Sequence, residues 1–479
     1  MRTDIIAVMP VIIVTLAACA VLLAEAFRRR DEQMPLGWFA LVGLLGAMGS
    51  SIFLWNRNLV GFGVVSADNF SLFMNVTIGV VGVLTVFLSM GPAERDRLPI
   101  GEYYALMLFT VVGMMLMGSS MDLLVIFLAL EIMSLGVYVM TGLKRSSEQG
   151  AEAAFKYFVL GAFSSAFFLF GIALTYATTG TTKLDEMGIR IAALAIEPHN
   201  LLLMIAMVML LVGFAFKVAA VPFHMWTPDA YQGAPTLVTG FMSTGVKAAA
   251  FAAFVRVFLT ALQPLRADWI PVLSAIAGLT MILGAVVGVA QQNVKRMLAY
   301  SSIAHAGYLL IGLIAANAAG KAAILFYLVA YAVTNLGAFG VLAALSTAEA
   351  PHDEIRDFAG LWHERPGMAA MMTVFLLSLG GFPLTVGFIA KWAIFSAALQ
   401  EHLVALAILG VLTSVVSVFF YLRVVVAMYM VDEKAPGRRP SLPPFAMVGL
   451  LLAVASVLYL GVMPGQVLRL AADAVAAIF

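Results

Sequence analysis

Hydrophobic residues occur in long runs that are broken at intervals by charges or by glycine and proline. Each run approaches the ~20 mostly apolar residues that a helix needs to cross a bilayer. The pattern predicts about fourteen membrane helices, at 5–27, 36–55, 70–90, 102–119, 122–142, 152–177, 201–221, 236–262, 270–290, 300–316, 321–345, 367–398, 403–429 and 445–463. The tail 465–479 carries one arginine and one aspartate and is expected to lie along the surface.

Two of the predicted helices are interrupted. Pro222 follows Lys217 where the seventh helix should still be within or near the membrane, and Gly380-Gly381-Phe382-Pro383 breaks the twelfth. Proline removes a backbone donor, so the freed carbonyls need water, ions or side chains. Interrupted helices five spans apart are typical of transporters built from two repeated halves. The amino-acid sequences around the two breaks are only weakly similar to each other.

Composition narrows the class further. Of 479 residues, 63% are hydrophobic and 11% are charged, whereas a soluble domain carries about 25% charged residues. The sequence therefore predicts an all-α polytopic membrane protein. Its first apolar run, 5–27, is too long for the hydrophobic region of a signal peptide and lacks a small-residue cleavage pattern, so it is interpreted as the first span. A net charge of +1 and the lack of a basic patch give no indication of a nucleic-acid partner.

Redox and nucleotide chemistry are not expected in this chain. The single cysteine, Cys19, excludes a disulfide framework, a four-cysteine iron–sulfur site and a structural zinc site. The sequence contains neither a phosphate-binding loop nor a dinucleotide fingerprint. The remaining histidines and acidic residues show no metal-ligand spacing. No cofactor or metal site is predicted.

Loop cations predict an orientation. One set of alternate loops holds about twice as many lysines and arginines as the other, which places it on the cytoplasmic side and both termini on the periplasmic side. The richer set is Arg28, Arg29, Arg30, Arg95, Arg97, Lys144, Arg145, Lys295, Arg296, Arg356, Arg365, Lys434, Arg438 and Arg439. The other set is Arg2, Arg57, Lys183, Arg190, Arg266, Lys321 and Arg469.

Four ionisable residues lie deep within apolar spans: Glu131, Lys217, Lys247 and Lys391. A charge at a helix centre costs roughly 2.5–3.5 kcal/mol, so four of them predict a function. Burial favours the neutral form of a lysine and a nearby carboxylate favours its charged form. Such groups therefore suit charge-coupled proton transfer without a cofactor. The alternative is a set of static ion pairs that fix helix register.

Polar residues at helical spacing accompany these charges, and each stripe suits either a water chain or helix packing. His305 is either a proton relay or a histidine at a helix start bonded to the backbone. Glu152 and Lys156, spaced i, i+4 near a helix start, either link neighbouring channels or anchor the interface. His224 and Asp229 are interpreted as groups that stitch the broken segment, and Arg256 and Arg423 as snorkelling or locally paired side chains.

Longer motifs carry a family resemblance. The segment Lys217-Val-Ala-Ala-Val-Pro-Phe-His-Met-Trp-Thr-Pro-Asp-Ala-Tyr-Gln-Gly-Ala-Pro-Thr236 resembles the signature of the antiporter-like subunits of respiratory complex I. Ala129-Leu-Glu131, Asn293-Val-Lys-Arg-Met-Leu-Ala-Tyr-Ser-Ser-Ile-Ala-His-Ala-Gly-Tyr308 and Gly381-Phe-Pro-Leu-Thr-Val-Gly-Phe-Ile-Ala-Lys391 support it. Gln232-Gly-Ala-Pro-Thr236 and Lys391 differ from the forms usual in the L and M subunits, and the long lateral C-terminal helix of L is lacking, which favours the N-type branch.

The resemblance implies a fold and a set of roles. It implies two inverted five-helix repeats, 101–262 and 263–430, between an N-terminal three-helix segment, 1–100, and a C-terminal helix and tail, 431–479. Glu131 and Lys217 would form a modulating pair, Lys247 the central proton carrier, Lys391 the far half-channel and His305 the bridge between halves. Glu152 and Lys156 match a polar position in the sixth helix.

The resemblance also implies partners. The reaction would be proton translocation across a bacterial inner membrane, driven by NADH oxidation and quinone reduction. NAD, FMN, iron–sulfur clusters and quinone would be bound by other subunits, in the membrane arm and in the hydrophilic NADH-oxidising arm. Two rivals remain: a subunit of a multi-subunit Na+/H+ antiporter, and a scaffold that transports nothing.

Overall fold

The computed structural model describes residues 2–28, 34–194, 200–346, 352–431, 441 and 443–478. Five cations used to predict the orientation lie outside these residues: Arg29, Arg30, Lys434, Arg438 and Arg439.

The described chain is mostly helical, as predicted. Its helices are α1 (Arg2–Ala7), α2 (Met9–Phe27), α3 (Leu36–Phe53), α4 (Asn69–Ser89), α5 (Pro92–Arg95), α6 (Ile100–Ser119), α7 (Leu123–Thr141), α8 (Glu148–Thr179), α9 (Leu184–Leu194), α10 (Leu201–Lys217), α11 (Trp226–Gly233), α12 (Thr236–Phe241), α13 (Lys247–Leu259), α14 (Arg266–Ala290), α15 (Val294–Ala315), α16 (Ala318–Leu345), α17 (Leu361–Glu364), α18 (Pro366–Gly380), α19 (Val386–Gln400), α20 (Val404–Met430), α21 (Pro444–Val462) and α22 (Gly465–Ala476). Short 3-10 turns occur at Gln263–Leu265 and Ile355–Phe358.

Twelve helical segments among the described residues are long and apolar enough to cross a membrane. Three shorter apolar helices, α10, α18 and α19, belong to the two spans predicted to be interrupted. Together they account for the predicted spans. The largest boundary difference is in the tenth span, which begins at Val294 rather than near residue 300. Asn293 caps this helix by accepting from the Arg296 backbone N–H, so the charges that suggested a loop lie in its first turn.

Both predicted breaks are present. The seventh span stops at Lys217 and resumes as α11 at Trp226. The twelfth stops at Gly380, where Gly381 adopts φ +85°, and resumes at Val386. A positive φ is cheap only for glycine, so this residue permits the chain to leave the helix abruptly.

Several short elements lie outside the predicted spans, among them α5, α17 and the 3-10 turns. A short antiparallel hairpin pairs β1 (Leu59–Gly61) with β2 (Val65–Ala67), so that the chain is not wholly helical. The helix α9 lies in a segment that was expected to be a loop. A π-helical turn, Met242–Val246, joins α12 to α13 immediately before Lys247.

The core lies along the eighth, tenth and eleventh spans. Nearly all residues of α12–α13, α15 and α16 are buried, whereas α2, α8 and α20 present long apolar faces to the outside. The three central spans carry Lys247, His305 and the tyrosines of α16. The tail forms α22, which packs on α4 and α16 through Ala471, Ala474 and Val475 while its polar face stays exposed.

Candidate functional site

Lys217 ends α10 and is almost fully buried, with 3% of its surface exposed. Its Nζ donates to Ser134 Oγ at 2.6 Å, and Ser134 donates in turn to the Leu130 carbonyl of α7. Glu131 accepts from Ser165 of α8 at 2.5 Å. Glu131 belongs to α7, and Lys217 contacts α7 through Ser134. The Glu131 carboxylate and the Lys217 ammonium therefore each bind a different serine hydroxyl and form no direct ion pair. The modulating role of this pair stays a prediction.

Lys247 occupies the first position of α13, directly after the π-helical turn. Its Nζ donates to the carbonyl and to the hydroxyl of Ser302, at 2.5 Å each, and lies 5.4 Å from the centre of the Tyr331 ring. Within the described ranges no carboxylate forms an ion pair with it. Neutral dipoles and a ring face therefore hold this group, so loss of its proton would leave no buried carboxylate unpaired.

Aromatic residues span the distance between Lys217 and Lys247. The Tyr157 ring, 5.6 Å from Lys217 Nζ, stacks on Trp226 with centroids 4.2 Å apart. Tyr231, one turn further along α11, shares a hydrogen bond of 3.4 Å with the Ser302 hydroxyl that holds Lys247. The short helix after the first break therefore positions the groups that connect the two lysines.

His305 lies in the middle of α15, surrounded by tyrosines. Its Nδ1 shares a hydrogen bond of 2.6 Å with the Tyr327 hydroxyl, and its Nε2 lies 3.4 Å from that of Tyr421. Tyr421 also shares a 2.5 Å hydrogen bond with Ser301. The alternative of a histidine at a helix start is wrong, because α15 begins at Val294. His305 instead lies between Lys247 and Lys391, with hydroxyls on both ring nitrogens.

Lys391 donates hydrogen bonds to the backbone carbonyls at the second helix break. Its Nζ donates to the carbonyls of Leu379 and Gly380, at 2.9 and 3.0 Å, and to Ser414 Oγ at 2.7 Å. The Tyr308 ring centre is 5.3 Å away. The carbonyls freed at the break thus find the side-chain donor that a helix end inside a membrane needs. A cavity of about 320 Å³ opens beside this lysine at the break.

We expect Lys391→Met to destabilise the protein as well as to remove a titratable group. The substitution removes the short ammonium hydrogen bonds to the carbonyls of Leu379 and Gly380 and leaves the Gly380 carbonyl a 3.5 Å contact from Ser414 Oγ, a loss that costs ~1–3 kcal/mol. The measurement is the midpoint of thermal inactivation of the purified assembly. Lys183→Met is the matched control, because Lys183 is half-exposed and pairs with Glu186 at the protein surface. Equal midpoints for the two variants would show that Lys391 does not stabilise the break.

Glu152 and Lys156 belong to an exposed ion network. Lys156 Nζ lies 2.6 Å from Glu152 and 2.9 Å from Asp229, and Asp229 also binds Arg296 at 2.7 Å. These contacts tie α8, α11 and α15 together. The stitching role predicted for Asp229 is confirmed, whereas a link from Glu152 and Lys156 to a neighbouring channel stays a prediction.

Arg256 is paired far along the chain, contrary to the expected local pairing or snorkelling. Its two terminal nitrogens donate to the two Asp68 oxygens at 2.9 and 3.0 Å, and one also donates to Ser71. Asp68 caps α4, and although burial raises its pKa, Arg256 and its hydrogen bonds hold that pKa below the usual value. Sequence reasoning missed this pair because Asp68 lies in an unremarkable loop.

Arg423 binds the backbone carbonyls at the C-terminal end of α14. Its guanidinium donates to the carbonyls of Val289 and Gln291, at 2.6 and 3.1 Å, where α14 terminates. Cations at a helix C-terminus also complement the helix dipole.

The family model described as NADH:quinone oxidoreductase/Mrp antiporter, TM, matches residues 120–417, well over half of the chain. The chain belongs to this family. The matched range contains Glu131, His305 and the buried lysine series, the name used here for Lys217, Lys247 and Lys391. The resemblance inferred from the sequence motifs is thereby confirmed.

Individual relatives extend the match to the whole chain. The NADH-quinone oxidoreductase subunit N of Trichlorobacter lovleyi is 42% identical over 98% of this chain and 96% of its own length. A chain in respiratory complex I from Thermus thermophilus with bound aureothin is 35% identical, has a TM-score of 0.82 and covers 97% of this chain and 99% of its own. A chain of the Mrp complex from Dietzia sp. has a TM-score of 0.82 at 20% identity and covers 99% and 97%, which shows the shared fold.

Proposed function

We propose that this chain is an N-type membrane-arm subunit of an NADH:quinone oxidoreductase and that it translocates protons through Glu131, the buried lysine series and His305. The single observation that carries the proposal is the near-continuous line of titratable, hydroxyl and aromatic groups from Lys217 to Lys391. Full-length similarity to subunits of that name supports the assignment to this enzyme.

Each section of the line would do one task. Glu131 and Lys217, on separate hydroxyls, would respond to charge by moving towards or away from each other across α7. Lys247 would exchange its proton with the Ser302 hydroxyl and, through it, with Tyr231. His305 would pass protons between tyrosine hydroxyls, and Lys391 would exchange with Ser414 beside the cavity at the second break. In every step one proton passes from an O–H or N–H donor to a neighbouring oxygen or nitrogen, and no group is oxidised or reduced.

The energy would come from partner subunits. NAD, FMN, iron–sulfur clusters and quinone are proposed to bind there, since this chain offers one cysteine and no dinucleotide fingerprint. The proposal places the chain in a bacterial inner membrane with both termini on the periplasmic side, as the loop cations indicate. It also retains the two inverted repeats, 101–262 and 263–430.

The assignment is tested by purifying the tagged chain in mild detergent. We expect bound flavin and NADH:quinone reductase activity to co-purify with it. A particle that lacks flavin and shows sodium-dependent proton flux would overturn the proposal in favour of a cation/proton antiporter.

Transport is tested by Glu131→Gln. Because pumping and quinone reduction are coupled, we expect both to fall together and in the same proportion, measured as NADH-driven acidification of inverted vesicles and as NADH:quinone turnover. Glu186→Gln is the matched control, since Glu186 lies on exposed α9 and pairs with Lys183. Wild-type turnover and stoichiometry in the Glu131 variant would favour a scaffold that transports nothing.

A further inference from the structure

A cavity lies away from the lysine line, between α3, α4, α16 and α22. Its volume is about 610 Å³, and its lining includes Trp55, Phe73, Val80, Val329 and Leu470. The polar side chains in the lining are Thr77, which donates its hydroxyl proton to the Phe73 carbonyl one turn earlier, and Trp55, which has an indole N–H. The rest of the wall is aliphatic or phenyl, so it favours an apolar occupant.

One wall of the cavity, called the slot below, runs along α4. Phe73, Val76, Thr77 and Val80 fall at i, i+3, i+4 and i+7 on one face of α4, which corresponds to a length of about 10 Å. This is about a third of the hydrocarbon thickness of a bilayer. Ile52 and Leu470, which are 62% and 45% exposed, form its edge, so that the slot is open to the surroundings of the protein.

Two arginines lie close in the chain to residues that line this slot, and Arg469 Nε donates to the Gly465 carbonyl at 3.2 Å. Arg57 follows Trp55 by two residues and stacks at 4.0 Å on the Phe53 ring, and Arg469 directly precedes Leu470. Both are exposed, and neither forms an ion pair with a carboxylate within the described ranges. They share one side of the membrane because α3 and α21, the second and fourteenth spans, run in the same direction. Cations beside a slot for an apolar chain are complementary to an anionic lipid.

We propose that this slot binds one acyl chain of an anionic phospholipid whose phosphate lies between Arg57 and Arg469. The amphipathic α22 would cover the chain from the interface, as helices of this kind do at the boundary between headgroups and acyl chains. The bound chain would support α16 on the face opposite Tyr327, so that lipid and proton line share one helix. The inference does not depend on the proposed function, because it uses none of the proton-transfer groups.

The test uses the intact assembly reconstituted with phosphatidylglycerol that carries a photoreactive diazirine in the middle of one acyl chain. We expect cross-links in the peptides that contain residues 73–80 and 467–470. Ala332→Phe places a ring in the slot and should reduce this labelling about tenfold, as expected when several methylenes lose their burial. Val80→Phe is a second filling variant in case the first fails to assemble. Val42→Phe, on the outer face of α3, is the matched control and should leave labelling unchanged.

The headgroup is tested separately. Arg57→Gln and Arg469→Gln should each weaken phosphatidylglycerol labelling about fivefold, and a phosphatidylcholine probe should respond less because it has no net charge. Absence of cross-links at 73–80 in the assembly would overturn the site and indicate that a neighbouring subunit fills it. Stronger labelling by a photoreactive quinone than by the lipid would overturn the choice of occupant.

Discussion

Replacing Lys247 by methionine is expected to lower coupled proton pumping and quinone reduction at least about a hundredfold, the range typical when a positioned proton donor is removed. The side chain is buried, and both of its hydrogen bonds go to one residue, Ser302. Methionine has a similar shape and fills the same space, so that loss of activity reports the missing proton site. The measurement is NADH-driven acidification of inverted vesicles together with NADH:quinone turnover.

The variant Lys247→Arg distinguishes two roles for Lys247, a proton carrier and a permanently charged structural group. A guanidinium donates the same kind of hydrogen bonds but keeps its proton at every physiological pH. A structural cation would therefore be replaced successfully, whereas a proton carrier would not. Electron transfer from NADH to an artificial acceptor that takes electrons from the flavin should stay normal in both variants. Full pumping by the arginine variant would rule out a carrier role for Lys247.

The sequence predicts the spans and the two breaks because the bilayer imposes a strong length requirement on apolar runs and proline cannot continue a helix. It also locates the four charges within the apolar spans, of which the three lysines are buried. These are local signals. The start of α15 was misplaced because Lys295 and Arg296 suggested a loop, although Asn293 caps the helix before them.

The side chains that contact each charged residue are set by tertiary packing, so they could not be predicted from the sequence. Nothing near Lys247 indicates that it contacts Ser302, and nothing near Arg256 indicates Asp68, 188 positions away. The π-helical turn before Lys247 is equally hidden, because its sequence, Met242–Val246, has the small residues of an ordinary packed helix. Tyr327 and Tyr331 are four residues apart and so share a helix face, but only the fold shows that both lie against His305.

Asp68→Asn is expected to destabilise the protein by ~3–5 kcal/mol, because it leaves the buried Arg256 guanidinium without its carboxylate. The cost should arise from the charge and not from the helix cap, since asparagine still accepts the Ser71 backbone N–H that Asp68 caps. Asp122→Asn is the matched control: Asp122 caps α7 in the same way but contacts no arginine in the described structure. The measurement is the midpoint of thermal inactivation of the assembly.

Adding Arg256→Gln to Asp68→Asn should recover most of that lost stability, because the double variant contains no unpaired charge. Strictly additive costs of the two substitutions would show that the two residues do not interact.

The pH dependence of stability follows from the lowered pKa of Asp68. The pair stabilises the folded state fully above the unfolded-state pKa of about 4 and loses this contribution only as the pH falls through the lower folded-state value. The wild type and Asp68→Asn should therefore differ by a constant amount between about pH 5 and 8, with convergence only in stronger acid. Since Arg256 joins the end of α13 to the start of α4, a loosened pair would also free the helix that carries Lys247.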